Sequence, residues 1–170
     1  MTADEKDLNH SRIKALTREL SQLMGSKAKA SMFDEMFTDL AQMGIENPDL
    51  GDHKLIHRTL KELHEALNMF LPHRDKRKVA VFGSARISDS HPNYKLAQEL
   101  SKGLADSGYQ IITGAGGGIM EAANRGAGRE KSFGLNINLP HEQSANEFIA
   151  DDPHLLSFKY FFTRKLMFIK

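Results

Sequence analysis

The chain has 170 residues, 40% of them hydrophobic and 26% charged, with 23 basic side chains against 22 acidic ones. That length supports one sizeable core plus an appendage, and the charge balance leaves no overall field to recruit nucleic acid or an anionic membrane, so any anion site must be local. The absence of cysteine excludes disulfides, thiolate metal sites and cysteine nucleophiles, and no apolar run approaches the roughly 18 residues of a membrane span. The charged start Met1-Thr2-Ala3-Asp4-Glu5-Lys6 lacks a signal-peptide core, and a cytoplasmic location is expected.

From Leu8 to Met24 the apolar positions Leu8, Ile13, Leu16, Leu20, Leu23 and Met24 recur mostly at three- and four-residue steps, which predicts a one-faced helix ended by Gly25-Ser26. A second stripe, Met32, Phe33, Met36, Phe37, Leu40 and Met43, runs to Gly44, and Asn47-Pro48-Asp49 makes the following turn. These methionines and phenylalanines read as core or interface filling. Asp52 is the expected cap of a third helix carrying Leu55, Ile56, Leu60, Leu63, Leu67 and Phe70, closed by Pro72. Residues 1–72 thus form a helical extension whose stripes need cover, and a homo-oligomer is expected. His53 and His57 stand one helical turn apart, but no third ligand follows by spacing, so they read as surface or interface histidines and no metal is expected. The basic run His73-Arg74-Asp75-Lys76-Arg77-Lys78 reads as a solvated linker over 73–78, without the aromatic interleaving of a nucleic-acid site.

Residues 79–170 carry the pattern of an α/β domain. Val79-Ala80-Val81-Phe82 is continuously apolar, as in a strand covered on both faces, and breaks at Gly83-Ser84-Ala85-Arg86. Pro92 starts a helix that Gly108 ends, and Tyr109-Gln110-Ile111-Ile112-Thr113 forms the next strand. A right-handed crossover makes the two strands parallel neighbours, so Gly83-Ser84 and Gly114-Ala115-Gly116-Gly117-Gly118 emerge at one carboxyl edge. The second turn leads into a helix over 118–128. Further strands are expected at Ser132–Ile137 and Leu155–Phe158, and a closing helix carries Phe161, Phe162, Leu166, Met167 and Ile169. The fold class is a Rossmann-like, doubly wound parallel sheet behind a helical extension.

Glycines that carry a strand into a helix bring bare N–H groups and a positive helix end against an anion, although such a turn also serves packing alone. Gly114 to Gly118 match G-x-G-x-G, yet no well-placed acidic residue ends the next strand to hold a ribose. Nor does a lysine-serine or lysine-threonine pair follow the glycines as in a triphosphatase loop.

In order and spacing, Phe82-Gly83-Ser84-Ala85-Arg86, Gly114 to Asn124, Leu139-Pro140-His141-Glu142-Gln143 and Phe161-Phe162-Thr163-Arg164-Lys165 resemble the LONELY GUY family, whose members were long labelled possible lysine decarboxylases. The resemblance implies a nucleoside 5′-monophosphate phosphoribohydrolase, which cleaves AMP or a cytokinin riboside monophosphate to free base and ribose 5-phosphate. It implies Arg164 as the catalytic arginine, with Lys165 beside it and Glu142 as the acidic residue contacting the nucleotide. Gly83, Ser84, Gly116, Gly117, Gly118 and Met120 would line the rest of the pocket. Without the motif, Arg164 reads as a surface helix arginine. No cofactor is implied, and no lysine sits in a pyridoxal-phosphate context, so decarboxylation is not expected. The partner implied is a nucleoside monophosphate.

The family's proline-glycine-glycine-x-glycine-threonine loop, ending in a catalytic glutamate, is expected some fifteen to twenty residues after the arginine, whereas the sequence stops at Lys170. The expectation is therefore the front part of a longer protein, with little or no hydrolase activity as it stands. The alternatives are a non-catalytic nucleotide-binding module and an interaction protein that works through its helices.

Overall fold

The computed structural model describes residues 3–139 and 144–170, and the chain divides into two compact units, residues 1–57 and 58–170. The first unit holds α1 (Ala3–Gln22), α2 (Lys27–Glu46) and the start of α3 (Leu50–Phe70). Ser26 caps α2, its hydroxyl accepting from the Lys29 N–H at 3.3 Å. The helix passes through Gly44, where the sequence suggested a stop, because that glycine keeps a helical backbone; the end comes at Asn47, whose N–H donates to the Met43 carbonyl at 3.0 Å. Asp52 lies inside the first turn of α3 and is not its cap. Asp49 takes that part instead, its carboxylate accepting from the Gly51 N–H at 2.6 Å. Helices α1 and α2 pack on each other, and the Thr17 hydroxyl sits 3.1 Å from Asp34 Oδ1 and 3.3 Å from Thr38 Oγ1.

The second unit is the sheet. Its elements are β1 (Lys78–Ala80), α4 (Pro92–Asp106), β2 (Gln110–Thr113), α5 (Ile119–Ala127), β3 (Ser132–Ile137), β4 (Leu155–Phe158) and α6 (Phe161–Ile169). All strand pairs are parallel and the order is β1-β2-β3-β4, with Ala80 beside Ile112, Ile112 beside Phe133 and Leu135 beside Leu156. Each new strand thus lies next to the one before it, which is the outcome of repeated right-handed crossovers. Strand β1 is shorter than its apolar run. The ladder extends once more, from the Val81 N–H to the Ile112 carbonyl at 2.8 Å, and Phe82 then turns outward. As the edge strand β1 is half-buried, whereas β2 is buried along its whole length.

The pleat sends neighbouring residues to opposite faces. On one face Ile112, Phe133, Leu135, Ile137 and Phe158 pack with Ala66 of α3 and Met167 of α6, and Leu63, Phe70 and Phe168 close over them. On the other face Ile111 is buried, and α4 and α5 pack there through Tyr94, Ala105, Ala122 and Ala123. Helices therefore cover both faces, as a Rossmann-like sheet requires. Within the basic run 73–78, His73 is packed: its ring lies edge-on to Phe133 and Nδ1 is 2.9 Å from the Gln110 amide nitrogen.

Helix α6 is joined to α3 by one buried carboxylate. Glu62, 2% exposed, accepts from the Thr163 hydroxyl at 2.6 Å, from the Lys159 N–H at 2.7 Å and from Arg58 Nε at 3.0 Å. Burial pushes the Glu62 carboxyl upward, but the hydrogen bonds from Thr163, Lys159 and Arg58, together with the Arg58 charge, outweigh it and hold the group below the ordinary 4.5.

Two outcomes are expected. Replacing Phe133 by alanine removes a ring packed against Phe70 and His73 and costs about 3–5 kcal/mol, read as a lower urea midpoint at unchanged slope. The lowered Glu62 value gives stability that is complete above 4.5 and is lost as pH falls from there through the folded value. Denaturant unfolding of parent and Glu62→Gln across the acid range should show the parent losing its advantage there, and parallel curves would contradict this.

Candidate functional site at the carboxyl edge of the sheet

The chain leaves β2 at Thr113 into Gly114-Ala115-Gly116-Gly117-Gly118, and a buried polar network holds this turn. The Thr113 hydroxyl donates to Asn124 Oδ1 at 2.8 Å and accepts from the Ala115 N–H at 3.0 Å. Asn146 reaches in from the loop before β4. Its amide nitrogen donates to the carbonyls of Ala115 at 3.1 Å and Gly116 at 3.0 Å, and stands 3.1 Å from Asn124 Oδ1. The Asn146 backbone N–H also donates to the Ala115 carbonyl, at 2.8 Å. Ala115 is fully buried with φ +64°, a conformation that an alanine keeps only where its surroundings over-determine it.

The second turn, Gly83-Ser84, meets the first. The Ile119 N–H donates to the Ser84 carbonyl at 3.0 Å, so the first turn of α5 is docked on the loop after β1. Gly118 sits at this junction with φ +63°, and a Cβ there would collide with the Ser84 carbonyl oxygen. Only glycine satisfies both the backbone angle and the contact. Ser84 shapes its own loop, its hydroxyl accepting from the Arg86 N–H at 3.2 Å, and both Gly83 and Ser84 are exposed.

Arg164 stands in the second turn of α6 and extends to the end of β2 and the middle of β3. Its Nε donates to the Leu135 carbonyl at 2.7 Å and its Nη2 to the Gly114 carbonyl at 3.4 Å, while the guanidinium carbon lies 5.5 Å from the Phe168 ring centroid. A side chain on Gly114 would strike that guanidinium and the Met120 sulfur; one on Gly116 would strike the Met120 methyl. Met120 therefore lies over both glycines, beside the arginine.

The structure brings Gly83, Ser84 and Gly118 to one contact, and Gly114, Gly116, Met120 and Arg164 to another at the same edge. Gly117 is half-buried between them in the chain. Lys165 is exposed and with Phe82, Phe161, Arg164, Phe168 and Ile169 lines a cleft of about 320 Å³. A larger groove of about 540 Å³ runs between the end of α3, β1 and the end of α6, and none of the glycine-turn residues lines it. Glu142, with Pro140, His141 and Gln143, lies outside the described residues. Among the described residues no group of three or more histidine, aspartate or glutamate side chains is gathered as for a metal.

Four residues that hold this edge together carry no role in the sequence reading: Thr113, Asn124, Asn146 and Glu62. Two of them leave a signal. Asn124 follows Ala122 and Ala123 at the buried side of α5, and Glu62 falls four residues before Ala66 and seven after Leu55, inside the apolar stripe of α3. A polar group in a packed stripe must have a partner.

Residues 76–151 match the model of the SLOG cluster4 family, which belongs to a superfamily that includes LOG-like proteins. The match runs from the end of the basic run through β1, both glycine turns, β3 and the Asn146 loop; β4 and α6, with Arg164 and Lys165, lie beyond it. No curated protein matches the chain. No helix among the described residues is long and apolar enough to cross a membrane. Over residues 76–151 the chain is thus similar to an SLOG-type module, and its sheet has a Rossmann-like frame.

Proposed function

We propose that the carboxyl edge of the sheet binds a nucleoside 5′-monophosphate, AMP or a cytokinin riboside monophosphate, and serves phosphoribohydrolase chemistry. The observation that carries this reading is the Arg164 guanidinium held by two backbone carbonyls directly over the glycine turn after β2. A forked, permanently charged donor beside glycines that lead into a helix N-terminus suits a phosphate or a departing base that gains negative charge. The family match over both glycine turns supports it.

The reaction breaks the bond from the ribose C1′ to the base nitrogen, adds the hydroxyl of a water to C1′ and returns its proton to the base. Positive charge develops on the sugar and negative charge on the base. Arg164 would answer the negative charge, or anchor the phosphate so that binding energy goes into orientation. A carboxylate beside the sugar is the remaining requirement; by the resemblance Glu142 contacts the nucleotide, and the catalytic carboxylate is the glutamate of the family's separate glycine-rich loop.

Titration calorimetry with AMP is expected to give binding that weakens by about tenfold or more in Arg164→Ala, the scale of one lost charge-assisted contact. Gly117→Asp, which sets a negative charge among the glycines, should weaken it as well. Unchanged affinity in both variants would tell against this pocket. Adenine release from AMP, assayed alongside, separates a hydrolase from a non-catalytic nucleotide-binding module.

A further inference from the structure

Arg164 is placed by α6, and α6 by itself has a weak start. Its N-cap residue is Tyr160, which offers no side-chain cap, and the helix is only nine residues long. Helices of that length depend on tertiary contacts for their position. An anchor comes from another helix: the Glu62 carboxylate of α3 accepts from the Lys159 N–H, one residue before the N-cap, and from the hydroxyl of Thr163 within the first turn of α6. The Thr163 hydroxyl also lies 2.8 Å from the Tyr160 carbonyl, which closes the turn on itself. Thr163 and Glu62 are both buried, and Arg58, one turn earlier in α3, completes the carboxylate's partners. Arg164 is the residue immediately after Thr163.

We infer that Glu62 is a positioning residue, which anchors the start of α6 to α3 and thereby sets where the Arg164 guanidinium stands over the glycine turn. The inference rests on the nucleotide reading of that edge. It assigns a part in the site to a helix that precedes the family match, and to a residue whose carboxylate is fully covered by protein. A negative charge near a helix start also complements the positive end of the helix, which favours the docked orientation.

Glutamine at position 62 keeps an oxygen to accept from the Lys159 N–H and an amide to donate to the Thr163 hydroxyl, whereas alanine keeps neither. AMP affinity is therefore expected to fall about tenfold in Glu62→Ala and to stay within about threefold of the parent in Glu62→Gln, both measured well below their unfolding temperatures. In an Arg164→Ala background, Glu62→Ala is expected to cause no further loss, because its effect passes through the arginine. An equal loss in both backgrounds, or no loss beside the parent, overturns the inference while leaving the Arg164 result standing. An affinity indifferent to Arg164→Ala overturns the nucleotide reading beneath it. Should Glu62→Ala not fold, Thr163→Val removes one of the same bonds at conserved shape and is expected to weaken AMP binding about threefold, again only when Arg164 is present.

Discussion

The carboxyl edge depends on the hydrogen bonds that converge on Asn124 Oδ1. Thr113 at the end of β2, Asn124 in α5 and Asn146 in the following loop share one buried point, and between them they fix the Thr113 to Gly116 backbone. The Asn124 Oδ1 side of this network is fully engaged, whereas the buried Asn124 amide nitrogen has no hydrogen-bond partner among the described residues. The network's effect is local and definite: it holds Ala115 in the left-handed region and ties its carbonyl to Asn146, so the glycines that follow begin from a set position.

A second constraint acts from the opposite face of the sheet. Glu62 anchors the start of α6, and α6 carries Arg164 to the end of β2 and the middle of β3. The two supports share no residue. One holds the glycine turn from α5 and the Asn146 loop, and the other holds the arginine from α3. They meet at the contact between the Arg164 guanidinium and the Gly114 carbonyl. Two separate supports thus fix the backbone of the glycine turn and the guanidinium beside it through contacts within the chain.

Much of the frame was legible because its signals are short-range. Alternation of apolar strands with one-faced helices, Pro92 at a helix start and Gly108 at its end fall where the sequence suggested them, as do the two glycine turns at one edge. Helix ends were less legible where side chains compete, as Asp49 does with Asp52. The extent of β1 was obscured because its composition reads as a covered strand, whereas in the sheet it is the edge. Neither the Asn146 network nor the reach of Glu62 to Thr163 follows from any local pattern. They join residues far apart in the chain, and periodicity reports only which face a side chain occupies, not what it finds there.

The reach of Glu62 has a consequence for how the chain acquires its structure. Thr163 lies 101 residues after Glu62, so during vectorial synthesis the carboxylate is made long before its partners. Until α6 arrives, α3 carries a carboxylate within the apolar surface that will cover β2 and β3, and burying it early would leave it with Arg58 alone, short of its bonds to Lys159 and Thr163. The docking of α3 is thereby coupled to the emergence of α6. Premature, non-native collapse of that surface is disfavoured by the same group that later secures the finished one.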